Sequence, residues 1–169
     1  MAVTQIFEGV VERALEELLR EITFTSTVAP QLSSGQDDRA LAVPYIVAYV
    51  QETESPDPPQ FTGIEIFQCT IEVRSNQYSD LEPAFDALGE HEKRWQDVLG
   101  KFLVDPINDT TFGSDATSMS GMINATTIFA NEGGRCDRIF GDITREHENE
   151  DKIFVSKLMF KGIFTGSFA

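Results

Sequence analysis

The sequence predicts an α/β (α+β) fold, a small β-sheet with two amphipathic helices. Three observations predict it. Apolar residues recur at helical spacing over residues 4–20 and 81–102, they alternate along "IEIFQCTIEVR" at 64–74, and they occupy every position from Val43 to Val50. The first pattern gives a helix one buried stripe, the second gives a strand one buried face, and the third gives a strand covered on both faces. A length of 169 residues suits one domain, 1–169, with enough chain to bury a core without disulfides or metal.

Thr4 can cap the first helix, in which Phe7, Val10, Val11, Ala14, Leu15, Leu18 and Leu19 share a face opposite most of Glu8, Glu12, Glu16, Arg13 and Arg20. The β-branched run from Ile22 to Val28 then predicts a strand. "APQLSSGQDDR" at 29–39 has turn chemistry and little to bury, so it reads as a loop. In the next strand Pro44 has no N–H to give a ladder, which assigns it to the strand's first residues. "QETESPDPPQFTG", with three prolines and three acids, reads as an exposed hairpin loop or arm around residues 52–62.

In the alternating strand Phe67, Cys69, Ile71 and Val73 face one way and Gln68, Thr70, Glu72 and Arg74 the other. Ile64 and Ile66 fall on the polar parity, which suggests a bulge or burial on both faces near the strand's beginning. Ser79 or Asp80 can cap the second helix, Pro83 fits its first turn, and Leu81, Phe85, Leu88, Trp95, Val98, Leu99 and Phe102 mark its inner face; Gly89 weakens its middle. Residues 105–121 read as a long polar loop, "MINATTIFA" at 122–130 as a strand, and 131–151 as a Gly- and charge-rich connection. The terminal "KIFVSKLMFKGIFTGSFA" reads as a half-buried strand, with Phe154, Leu158, Phe160 and Phe164 on one parity and Lys157 and Lys161 on the other.

The formal net charge of −15 opposes nucleic-acid binding by counterion release, which needs clustered Lys and Arg. Residues 1–60 carry ten acids and three bases, 61–110 ten and four, and 111–169 eight and six, so the two ends can present surfaces of different sign. No long apolar run could span a membrane, and the N-terminus lacks the pattern of a signal peptide, which points to a cytoplasm. Cys69 and Cys136 have no second Cys or His at metal-ligand spacing and read as free thiols, Cys69 in a strand core and Cys136 in a loop.

Tests for chemistry return little, and no metal or cofactor is expected. His91, between Leu88 and Trp95, reads as a packing residue, and His147 in "REHENED" as part of a solvated charged loop. There is no G-x-S-x-G elbow, and "ANEGGR" lacks the residues of a phosphate loop. Neither "DPINDTTFGSD" nor "EHENED" has the pattern of a calcium loop. Among nucleophiles Cys136 ranks first, because Arg135 and Arg138 would lower its thiol pKa, although Asp137 opposes them and no base is placed.

The order of parts resembles the tail terminator (tail completion) proteins of long-tailed bacteriophages and related prophage particles. The likeness rests on the helix "TQIFEGVVERALEELLRE", the loop and core strand "SSGQDDRALAVPYIVAYVQE", the exposed "ESPDPPQFTG", the strand "IEIFQCTIEVRSN", the helix "SDLEPAFDALGEHEKRWQDVL" and the final "FKGIF". It covers nearly the whole chain through pattern and order, with no signature residue. The segments 105–121 and "REHENED" look like additions to the family pattern.

The resemblance implies a small mixed β-sheet with the two amphipathic helices packed on one face, in a virion structural protein without enzymatic activity, made in the host cytoplasm, which forms a homo-hexameric ring. Such a ring caps the tail tube protein, ends tail elongation and offers a surface to the head-tail connector or neck protein, while DNA passes through its lumen without sequence-specific binding. A head-closure or neck protein of the same particle is the nearest alternative, and a small enzyme or ligand-binding domain centred on Cys136 the next. The expected interface positions lie in loops: Asp37, Asp38, Arg39, Asp57, Phe61, Phe112, Arg135 and Arg138. The acids could line the lumen and repel phosphates, or could solvate the ring's outside.

Overall fold

A computed structural model describes residues 8–35, 42–54, 64–77, 87–109 and 116–166. Among these the chain forms α1 (Glu8–Arg20), β1 (Gln31–Ser34), β2 (Tyr45–Glu54), β3 (Ile64–Asn76), α2 (Ala87–Phe102), α3 (Met119–Asn124), α4 (Thr127–Glu132), β4 (Arg135–Glu150) and β5 (Ile153–Thr165). The strands make one mixed sheet in the order β1-β2-β3-β5-β4, with β1 parallel to β2 and the other neighbours antiparallel. The fold is therefore the α+β class that the periodicities predict.

Alternation divides the sheet into two faces. Ile46, Ala48 and Val50 of β2, Phe67, Cys69, Ile71 and Val73 of β3, and Leu158, Phe160 and Phe164 of β5 form a single core with Val11, Leu15 and Leu19 of α1, Val98 and Phe102 of α2, Ile123 of α3 and Phe129 of α4. On the other face Glu72 bonds Arg74 at 2.8 Å and lies 3.6 Å from Lys157, and Arg74 reaches Glu150 at 3.2 Å. That arrangement explains why β2 is apolar on both sides: it is an interior strand, and Val47 on its second face is also buried. The bulge suggested near Ile66 is present, on the β2 side, where the register shifts between Glu52 and Glu54.

Four expectations need correction. Residues 22–28 are not a strand; their backbone groups bond side chains of α2, with Thr25 N donating to Asp97, Thr27 N to Glu90 and Val28 O accepting from Arg94. The strand beside β2 is instead β1, taken from the expected 29–39 loop, with Gln31 N donating to Pro44 O. The expected strand 122–130 is two short helices, because Ser118 Oγ accepts from Gly121 N, Thr126 Oγ1 accepts from Phe129 N, and Gly133 closes α4 at φ 77°. Residues 135–150 of the expected connection are β4, paired to β5 along its length and bent by register shifts at 136/138 and 140/144. An edge strand can be as polar as a loop, since most of its side chains face water.

Both Cys69 and Cys136 are free and buried, but Cys136 lies in β4 and not in a loop. Of the long loop expected at 105–121, residues 119–121 belong to α3, and 110–115 lie outside the described residues.

Candidate functional site

The inner face of α2 departs from its apolar pattern at its N-terminal half. Leu88 is 52 % exposed, whereas Glu90, His91 and Arg94 are buried. His91 and Arg94, about one helical turn apart, meet two serines placed where a core strand would ordinarily carry apolar side chains. Ser75 continues the Phe67–Val73 parity of β3, and Ser156 sits between Phe154 and Leu158 on β5. Their presence leaves room, and hydrogen-bonding capacity, for the helix's polar groups.

The result is a continuous chain of hydrogen bonds. Arg94 Nη1 donates to Ser75 Oγ at 2.9 Å, Ser75 Oγ lies 2.9 Å from His91 Nδ1, His91 Nε2 lies 2.8 Å from Ser156 Oγ, and Ser156 Oγ lies 2.8 Å from His147 Nδ1. Arg94 also donates twice to Val28 O, at 3.0 and 3.3 Å, and stands 4.0 Å from Glu90, which accepts from Thr27 N at 2.7 Å. One chain thus ties α2 to the 22–28 segment, β3, β5 and β4. Burial first, then the positive Arg94 and the second imidazole of His147, hold the His91 pKa down at about 4. Burial pushes the Glu90 pKa up, but the Thr27 hydroxyl and N–H, with Lys93 and Arg94, outweigh it and leave the carboxyl lowered.

Above Ser156 a cleft of about 410 Å³ opens between α2 and the β4–β5 hairpin. Leu88, Glu92 and Trp95 line its helix side, His147, Glu148 and Asn149 its strand side, and Phe154 its floor. The Trp95 ring meets His147 edge-on at 5.3 Å, and Phe154 packs against His91 at 5.5 Å. His147 is therefore a strand residue held by Ser156 and Trp95, not the loop charge that the sequence suggests.

The sheet edges form a second feature. Along β4, the Asn124 amide accepts from Cys136 N and donates to Cys136 O, and the Asn108 amide does the same for Ile139. Each asparagine thereby supplies the pair of bonds that a neighbouring strand would supply. Beyond the bulge at 140/144, Thr144–Glu150 has no such cover among the described residues. At the other side of the sheet Arg20 donates to Leu32 O at 3.4 Å, and Glu12 accepts from Val50 N at 3.0 Å where β1 has ended. Burial raises the Glu12 pKa, offset in part by that bond, with Glu8 raising it further.

Of the expected interface residues, Arg135 and Arg138 lie on β4 and not in a loop, with Arg135 paired to Asp137 at 3.0 Å. Asp37, Asp38, Arg39, Asp57, Phe61 and Phe112 lie outside the described residues. The arginines do not activate Cys136: burial, followed by Asp137, outweighs the Arg138 N–H and Arg135 and pushes the thiol up to about 12. Burial and the neighbouring Cys136 likewise raise the Cys69 thiol well above its ordinary value.

His91 is buried in the packing and His147 is exposed, as the sequence suggests, but the hydrogen-bonded chain that joins them is not visible in either position alone. Its signal is the pair of serines on core parity, read together with a buried-face Glu, His and Arg. No family model matches the chain, and no characterised protein sequence matches it.

Proposed function

We propose that this chain is a ring-forming structural protein of a phage particle, of the tail-terminator kind, which closes the tail tube and offers a surface to the head. The observation that carries this reading is the contrast between the sealed and open parts of one sheet edge. A long exposed strand edge is a template for association, and proteins that must stay monomeric cover it. Here Asn124 and Asn108 occupy the first half of β4, while Thr144–Glu150 is left for another chain. The order of helices and strands along the sequence agrees with the resemblance to terminators.

Closed rings need a heterologous contact, one patch against a different one on the next copy. β4 and β1 stand at opposite ends of the sheet, so contacts made through the two sides differ in chemistry. The acidic surface suits either a lumen through which DNA slides or a solvated exterior.

The test begins with solution mass by light scattering over a range of protein and salt concentrations, where a hexamer is expected. Deletion of the gene in its phage then separates the readings within the particle. Overlong tails support a terminator, and tails of normal length left unjoined to heads support a neck protein. A strict monomer that also fails to bind purified tail tubes would overturn the ring reading.

A further inference from the structure

The hydrogen-bond chain beneath the cleft engages both nitrogens of the buried His91. Arg94 can only donate, so Ser75 accepts from it, and the serine oxygen keeps a second lone pair for His91 as well as its own O–H. In either neutral tautomer one nitrogen of His91 accepts a serine O–H and the other donates to a serine oxygen.

An additional proton on His91 makes both of its nitrogens donors, so the ring no longer accepts a serine O–H, and it places a buried cation beside Arg94. The described groups that face the imidazoles are Glu90, Glu92 and Arg94 from α2, Glu148 from β4, and the neutral Ser75 and Ser156 from β3 and β5. Glu90 is already engaged by Thr27 N. Glu92 and Glu148 stand on opposite sides of the cleft, where water that enters between helix and hairpin would let them stabilise an imidazolium.

We propose that this hydrogen-bond chain is a proton-operated latch: it holds the N-terminal half of α2 against the β4–β5 hairpin while His91 is neutral, and releases that contact when His91 takes up a proton from the cleft. The latch lies within one subunit and does not depend on the ring reading. Its opening would widen the wedge between Leu88 and Asn149 and free the hairpin whose outer edge is Thr144–Glu150. Helix α1 and its packing against β2 and α4 take no part.

Hydrogen exchange of the full chain, corrected for the intrinsic pH dependence of amide exchange, tests this. A His91 that titrates at about 4 when latched and at 6.5 when open makes opening about 20- to 30-fold more frequent at pH 5 than at pH 7. The loss of protection should fall on residues 87–95 and 144–156, with 10–19 unchanged. His91→Gln, which can accept from Ser75 and donate to Ser156 without titrating, should abolish the pH effect. Should that variant not fold, Trp95 emission in the unaltered protein gives a second readout: it should shift red between pH 7 and 5 while far-UV circular dichroism stays constant. Protection that changes less than threefold, loss shared equally with 10–19, the same loss in His91→Gln, or a pH-invariant Trp95 spectrum would overturn the latch.

Discussion

Replacement of Arg94 by methionine tests whether the polar half of α2 is a connected unit. Arg94 has no exposed surface, donates twice to Val28 O and once to Ser75, and faces Glu90 at 4.0 Å. Methionine has similar length and fills the space, but it leaves the Glu90 carboxylate buried without that cation. Removing one member of a buried pair in this way costs about 3–5 kcal/mol, because the remaining charge is poorly compensated. Arg94→Met with Glu90→Gln removes both charges and keeps an acceptor for Thr27 N, so its cost should fall to about 1–2 kcal/mol, the value of the lost neutral bonds. Urea unfolding followed by Trp95, the only tryptophan of the chain, gives each stability and hence the coupling. A cost below about 1 kcal/mol for Arg94→Met, or a double variant as unstable as the sum of the single ones, would refute the reasoning.

Stability should also depend on pH through His91. Its folded pKa of about 4 lies below the unfolded 6.5, so the unfolded chain binds more protons between these values. The stabilisation is fully present above pH 6.5 and is lost as pH falls toward 4, by about 3 kcal/mol in denaturation at pH 7 and pH 4, a loss that His91→Gln should largely remove. Ellman's reagent at pH 8 should modify neither Cys69 nor Cys136 in the native protein and both in urea, since burial raises both thiols; labelling of native Cys136 within seconds would restore the nucleophile reading. Gly162→Ala should destabilise by about 1–3 kcal/mol, because its Cβ would lie 2.6 Å from the Phe164 ring, which is itself packed against Phe67 and Phe129. Gly100→Ala on α2 meets nothing within 4 Å and should gain up to about 1 kcal/mol in the same unfolding assay.

Elements with a strong periodic signal were legible. α1, β2, β3, the C-terminal half of α2 and β5 each bury a face whose apolar residues recur at the period of the element, so local sequence and core agree. The signal failed where tertiary partners replace local preference. Ile22–Val28 has the composition of a strand, yet Asp97, Glu90 and Arg94 take its backbone groups, and β1 takes the place beside β2. "MINATTIFA" has the composition of a short strand, yet Ser118 and Thr126 cap two helices there.

The candidate site divides in the same way. The sequence by itself determined that α2 carries Glu90, His91 and Arg94 one turn apart, that β3 and β5 place Ser75 and Ser156 on their core parity, and that the chain is strongly acidic. Only the tertiary structure decided that β3, β5 and β4 stand side by side, so that Ser75 and Ser156 both meet His91 and Ser156 also meets His147. It also decided that β4 is an edge strand of the described sheet, sealed by two asparagines over one half and uncovered among the described residues over the other. The physical reason is that a hydrogen bond between residues 65 positions apart, or an edge amide satisfied by a side chain 31 positions away, has no local period. Such contacts are set by strand order and register, which arise from burial of the whole core.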